Sequence, residues 1–299
     1  MVDPLVSVIV ASYNNGPYLS DMIASVLGQT YTNWELVITD DASDDDSVAI
    51  VTNQMGDPRI VLCRHTENLG AGAAFKTSMD HSSGDIIAML GADDALQDNA
   101  LAVMVEEHCR HPEAGMVVGG LLETDNQLNI TGQRVYQGPF GKNTTILEQG
   151  WAFGWDTFKR RFYNQTHGFE NAQKRAVDQD LYFKMEAVAP IVFVPHFLYM
   201  YRQNANGISQ GPNRTTALWY HVRAMEHAVA RLPNPGQRVM ASLKQMRHKY
   251  HLMEAIVNFY DKDYSKMRKN VVQSLLLCPQ DRLFLKINLL LHPLKFWKK

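Results

Sequence analysis

Through residues 1–120, short runs of Val, Ile and Leu alternate with polar turns and with stretches that carry helical apolar spacing. Runs that stay apolar without a polar alternation must be covered on both faces, and that requirement points to buried parallel strands joined by crossover helices. Strands are expected at residues 6–11, 34–39, 60–64, 86–90 and 116–121, and helices at 17–27, 46–54, 72–81 and 99–108. Pro17 fits the first turn of the first helix, after an Asn-Asn-Gly loop. The fold class is therefore α/β, a mainly parallel central sheet with helices on both faces, which binds ligands at the carboxyl ends of its strands.

Beyond residue 121 the pattern weakens. Residues 122–170 are rich in Gly, Asn, Gln and aromatics and read as loop or irregular sheet, the region where an acceptor would bind. A helix is expected at 178–188, a strand at 191–201, and helices at 217–231, 239–260 and 264–277. The expected division is a domain over 1–212, with a donor-binding half to about residue 121 and an acceptor-side half after it, and a basic helical region over 213–299.

Charge supports that division. Residues 1–212 hold 13 Lys and Arg against 26 Asp and Glu, whereas 213–299 hold 16 against 5. An acidic body with a basic tail suggests a tail that meets an anionic surface, and phospholipid suits it better than nucleic acid. The segment 281–299, DRLFLKINLLLHPLKFWKK, mixes Leu283, Phe284, Ile287, Trp297 and other apolar groups with Arg282, Lys286, Lys295, Lys298 and Lys299, as an interfacial segment would. Packing of those apolar groups onto the body is the competing expectation.

With 45% hydrophobic and 20% charged residues, disorder is excluded. Cys63, Cys109 and Cys278 stand alone, without the spacing of a disulfide framework or a zinc site, which suits a reducing cytoplasm. The first residues lack the features of a signal peptide, and no uninterrupted apolar run reaches membrane-spanning length. The expected location is cytoplasmic, peripheral on the inner face of the membrane.

Three acidic groups follow expected elements. Asp40 and Asp41 end the second strand, where a carboxylate can accept a hydrogen bond from a base or ribose. Asp93 and Asp94 follow the fourth strand and offer hard oxygens to Mg2+ or Mn2+, whose other positions a diphosphate can fill. Asp178 opens a helix and could take a proton from an acceptor hydroxyl, with Asp180 left to cap or to form a surface pair. Each also reads, alone, as a turn or helix cap.

Their order carries a resemblance. VSVIVASYNNGPYLSDMIASVLGQTYTNWELVITDDASDDDS, then ENLGAGAAFKTSM, SGDIIAMLGADDAL, AVDQDLYFKM and FLYMYRQNANGISQ, resemble the family 2 inverting glycosyltransferases of the GT-A fold over residues 5–210. The resemblance implies that Ala11, Ser12, Tyr13 and Asn14 line the donor nucleobase and that Asp41 recognises it. It implies a divalent metal, Mn2+ or Mg2+, at Asp93 and Asp94, with Asp94 the direct ligand. Asp178 becomes the catalytic base, and residues 201–209 a mobile segment in which Arg202 contacts phosphate. Gly91, Val177 and Asn204 depart from the Asp, Glu and His that many relatives have there.

The implied activity is transfer of a sugar from a nucleotide-diphosphate donor to a hydroxyl of a glycan or lipid-linked saccharide, by in-line displacement. A UDP-sugar leads as donor, with GDP- and dTDP-sugars left open. Two rivals are a catalytically silent nucleotide-sugar-binding or scaffold protein and a sugar nucleotidyltransferase. The latter lacks its Gly-rich basic triphosphate loop here.

Overall fold

A computed structural model describes residues 3–134, 144–204, 207, 213–283, 285–287 and 289–290. The first strands are β1 (Val6–Ser12), β2 (Trp34–Asp40), β3 (Ile60–Arg64) and β4 (Ile86–Gly91), followed by the short β5 (Ala95–Leu96). Between and after them run α1 (Gly16–Leu27), α2 (Ser47–Gln54), α3 (Ala71–Asp80) and α4 (Ala100–Arg110). The second half comprises β6 (Met116–Thr124), β7 (Ile130–Arg134), α5 (Ile146–Gln149), β8 (Trp155–Lys159), α6 (Arg160–Tyr163), α7 (Val177–Glu186) and β9 (Ile191–Arg202). Three longer helices close the described chain: α8 (Arg214–Ala230), α9 (Gln237–Tyr260) and α10 (Tyr264–Leu277).

The strands form one sheet in the order β3-β2-β1-β4-β8-β6-β9-β5, with β7 pairing β6. β3, β2, β1 and β4 pair in parallel, as their unbroken apolar runs predict. β8 then inserts antiparallel between β4 and β6, and β9 returns parallel to β6. Residues 122–170, expected as loop or irregular sheet, thus contain two regular strands. The insertion has a positional result: because β8 runs against β4, its first residues lie at the carboxyl end of β4.

Alternate side chains of each strand enter different cores. Val6, Val8 and Val10 pack with Leu36, Ile38, α1 residues Leu19, Met22 and Ile23, and α4 residues Leu101 and Met104. Ile9, Ile87 and Phe158 face the other way, onto Leu181, Tyr182 and Met185 of α7. Val222 and Met225 of α8 and Val239, Leu243 and Met246 of α9 belong to that same second core. A separate, smaller cluster joins Ala255 of α9 to Met267 and Val271 of α10 and to Leu289. No helix among the described residues is long and apolar enough to cross a membrane.

Candidate active site

Parallel pairing collects the chain's polar turns on one rim. Ser12 pairs with Asp40 across β1 and β2, and Ala11 with Gly91 across β1 and β4. The two turns after β1 and β2 brace each other: the Asn14 amide donates to Ser43 Oγ at 2.9 Å, and the Asp44 amide donates to Asn14 Oδ1 at 3.0 Å. Asn14 and Ala42 both adopt left-handed φ, 53° and 63°, which costs a non-glycine residue free energy and is kept only where neighbours impose it. Tyr13 stands at this rim with 46% of its surface exposed, an aromatic face open to a ligand. Ser12 Oγ and Asp40 Oδ1 are buried there without a hydrogen-bond partner among the described residues.

Asp41 is buried and shapes the neighbouring loop. Its Oδ1 receives His65 Nδ1 at 2.7 Å and the Leu69 amide at 2.9 Å, and its Oδ2 receives the Gly70 amide at 2.7 Å. Three of a carboxylate's about four acceptor positions are thereby filled, on a side chain that is 3% exposed. His65 is itself fixed by Thr77 Oγ1 at 2.9 Å from its Nε2. Two residues further on, Gly72 donates its amide to Gln173 O, and a Cβ there would lie 2.3 Å from Glu170 O and 2.4 Å from Gln173 O. The loop that leads into α7 is thereby seated on the start of α3.

The Asp93-Asp94 pair divides in two. Asp94 is 4% exposed, and each of its oxygens accepts a hydrogen bond from β9: Oδ2 from the Tyr199 hydroxyl and Oδ1 from the Arg202 amide at 2.8 Å. Burial, with the charge of Asp93 beside it, pushes Asp94 up to about 8. Asp93 is less buried; Asn204 Nδ2 donates to its Oδ2 at 3.0 Å. The expectation of Asp94 as direct ligand therefore meets an acid turned into the fold, and the more accessible carboxylate is Asp93. Gly91 belongs to this arrangement. A Cβ at 91 would stand 2.5 Å from Asp94 Oδ2 and 2.9 Å from the Tyr199 hydroxyl, so any side chain there must displace one or both of these groups.

Arg202, expected at the phosphates, is instead 1% exposed and spent on the protein. Its Nε donates to Asp93 O at 2.6 Å, its Nη1 to Asn126 O, and its Nη2 to Asp21 Oδ2 at 2.9 Å, with the guanidinium over the Tyr18 ring. Of the expected segment 201–209, residues 205, 206, 208 and 209 lie outside the described residues.

Asp178 sits in the first turn of α7, partly exposed, behind Ala176, whose φ of 51° is again left-handed. Gln179 clamps this turn: its Nε2 donates to Asp178 Oδ2 at 2.9 Å and to Ala152 O at 2.7 Å. Because Ala152 precedes β8, the clamp brings the start of α7 to the carboxyl end of β4. Beneath it lies Asp156 of β8, fully buried, which accepts from the Tyr182 hydroxyl. Burial and then the nearby charge of Asp178 hold Asp156 well above the usual carboxylate range. Asp180, expected as a cap or surface pair, is buried against Lys184 Nζ at 2.5 Å, and Lys184 also meets Glu170 Oε1 at 2.9 Å.

Sequence reasoning missed His65, Tyr199, Asp156 and Gly72. His65 directly follows the expected strand 60–64 and was passed over; the other three follow no such strand end, and the tertiary pairing of β9 with β6 and of β8 with β4 brings Tyr199 and Asp156 to the rim. Among the described residues no three His, Cys, Asp or Glu side chains converge as a ready-made metal cluster. One accessible carboxylate fits a hard cation that takes its remaining ligands from phosphate and water.

The model of the family "Glycosyl transferase family 2" matches residues 7–183. Escherichia coli chondroitin synthase is 28% identical over 196 residues, covering 66% of this chain and 28% of that protein. Glycosyltransferase GlyG of Streptococcus pneumoniae serotype 4 is 26% identical over 220 residues, 68% of this chain and 72% of that one. The Escherichia coli UDP-Glc:alpha-D-GlcNAc-diphosphoundecaprenol beta-1,3-glucosyltransferase WfgD is 37% identical over 135 residues, 45% and 52% of the two chains. This chain thus spans under a third of chondroitin synthase and about half of WfgD. Among solved structures, S. aureus TarS 1-349 in complex with UDP-GlcNAc superposes with a TM-score of 0.66 at 14% identity, over 91% of this chain and 81% of that one. A mannosyltransferase from Pyrobaculum calidifontis in complex with GDP-Man and Mn2+ gives 0.60 at 17%, over 99% and 84%. At such identities the likeness is one of fold.

Proposed function

The chain belongs to glycosyl transferase family 2 and has its GT-A fold, and from that premise we propose that it is an inverting transferase acting on a nucleotide-diphosphate sugar. The acceptor is a hydroxyl of a glycan or lipid-linked saccharide. The observation that carries this reading is the gathering of Asp41, Asp93 and Asp178 at the rim formed by the carboxyl ends of β2 and β4 and the amino end of the inserted β8, each held by the backbone or by a neighbouring side chain. The names of WfgD and of the TarS complex support a UDP-sugar donor, and the GDP-Man complex keeps a GDP-sugar open.

The remaining acceptor position of Asp41 Oδ2 takes a base N–H, and Tyr13 covers the base. The acceptor hydroxyl gives its proton to Asp178 as its oxygen bonds to the anomeric carbon; the bond from that carbon to the diphosphate breaks, and the diphosphate leaves with the electron pair. Attack opposite the leaving group inverts the anomeric configuration. Gln179 holds Asp178 in place for this transfer. Asp93 would hold a divalent cation, Mn2+ or Mg2+, which supplies neutralising charge to the diphosphate. The lipid-linked form of the acceptor agrees with a peripheral position on the inner membrane face.

The test is a panel of UDP-, GDP- and dTDP-sugars, with and without Mn2+, read by nucleoside diphosphate release and by the anomeric configuration of the product. Asp93→Asn should abolish metal-dependent nucleotide binding, and Asp94→Asn should chiefly lower the melting temperature. No turnover and no nucleotide binding by the parent chain would reject the transferase; binding without turnover would leave the silent sugar-nucleotide binder.

A further inference from the structure

The tail carries an apolar surface that the fold leaves uncovered. α10 buries Met267, Val271 and Ser274 against α9, yet Val272 and Leu276, on the other side of the helix, are 45% and 71% exposed. A helix with one solvated face normally keeps that face polar. Across the hairpin, Met240 of α9 is also 45% exposed. Met240, Leu243 and Leu277 line a groove of about 360 Å3 between the two helices, whose rim carries Lys244 and Arg247. The contact of His248 with Ser274 fixes this antiparallel register. Further along α10, Arg268 and Lys269 are exposed, and no ion pair to either exists among the described residues. Arg247 is paired with Glu226; Lys266 is paired with Asp263.

We propose that the solvent side of the α9–α10 hairpin docks on an anionic lipid bilayer, with Met240, Val272 and Leu276 entering the headgroup boundary and Lys244, Arg268 and Lys269 meeting lipid phosphate. Aliphatic side chains interleaved with cations are what an interfacial helix requires. Nucleic acid fits less well, since its binding is dominated by phosphate contacts and gains nothing from an exposed Leu or Val. Charge supports the same partner, because residues 213–299 carry 16 Lys and Arg against 5 Asp and Glu on an otherwise acidic chain. The surface differs from the interfacial segment read from sequence, of which residues 284, 288 and 291–299 lie outside the described residues. It gives the peripheral location a defined face and does not depend on the chemistry at Asp178.

The experiment is co-sedimentation of the full chain with phosphatidylcholine vesicles, with and without phosphatidylglycerol, at low and high salt. The chain should bind only the anionic vesicles and release at high salt. V272E/L276E should abolish binding, and K244E/K269E should weaken it by about fivefold or more for each cation, while nucleotide affinity and melting temperature stay at parent values. Hydrogen exchange of the unmodified chain on vesicles provides a readout that needs no variant: amides of residues 268–276 should gain protection. Failure of the chain to bind, equal binding by both variants, or protection confined to residues beyond 281 would overturn the proposal. So would a dimer, seen by sedimentation velocity, that V272E/L276E dissociates.

Discussion

Arg202→Ala separates a residue that binds phosphate from one that ties the fold together. The side chain is 1% exposed and donates to two backbone carbonyls, those of Asp93 and Asn126, and to the carboxylate of Asp21. Asp21 is half exposed and regains water when the arginine goes, so its share of the loss is small. The two carbonyls lose charge-assisted bonds worth about 1.5–3 kcal/mol each, and the vacated space above Tyr18 adds to the loss. A total near 4 kcal/mol is expected, or a melting temperature lower by about 8–16 °C at roughly 2–4 °C per kcal/mol. The assay is thermal unfolding by circular dichroism beside calorimetry of nucleotide diphosphate binding below the transition. Affinity should fall only as far as loosening of Asp93 allows. A variant that melts with the parent and yet loses nucleotide binding would refute the tie and return Arg202 to the phosphates.

Asp178→Asn should lower kcat by about a hundredfold or more with donor affinity unchanged, measured by steady-state kinetics and calorimetry; Asp180→Asn should act on stability instead, because Asp180 neutralises buried Lys184. Gly72→Ala should cost about 1–3 kcal/mol in denaturant unfolding and reduce kcat, since its Cβ must push the 170–173 backbone off α3. His108 is buried, bonded to Thr157 Oγ1 at 3.0 Å, and burial pushes it down to about 3 from 6.5. Between those values the unfolded chain binds a proton that the native chain refuses. Stability should therefore fall as the pH drops from 6.5, by about 1.4 kcal/mol per unit from this group, and His108→Gln should flatten the slope in acid unfolding curves.

Much of the fold was legible because the parallel strands are buried on both faces. Runs such as VSVIVAS and IIAMLG admit no other placement, and the expected ends of β1 to β4 fall within one residue of the observed ones. β8 was hidden by the same logic reversed: WDTFK alternates Trp155, Asp156, Thr157 and Phe158 across two cores, and its buried acid and hydroxyl read as surface. The helices α8 and α9 read as a basic appendage from their helical apolar spacing and charge, and their apolar faces complete the second core beside Phe158 and Tyr182. At the site, Asp41 and Asp93 were picked out by strand ends and Asp178 by a helix start. It could not tell which cation or carboxylate faces inward, as Arg202 and Asp94 do, because that depends on β9 arriving beside β5 from more than 100 residues away.

Gly91, Asp94, Tyr199 and Arg202 together give that inward turn a reason. β9 is held along its length by β6, but β5 at the sheet edge is only two residues long, so its pairing with β9 supplies little backbone bonding to hold β5 and the turn before it. Asp94 offsets this by accepting from both the Tyr199 hydroxyl and the Arg202 amide, and Arg202 returns a bond to Asp93 O. The link needs the space at Gly91, where the Tyr199 hydroxyl also takes the Gly91 amide at 3.0 Å. An aspartate at 91 would displace the Asp94 carboxylate or the Tyr199 hydroxyl and so disturb this link. The adjacent carboxylates thus serve different ends: Asp94 ties the turn after β4 to the end of β9, and Asn204, two residues beyond that end, donates to Asp93. With Gly at 91, the accessible carboxylate Asp93 is held in position through that tie.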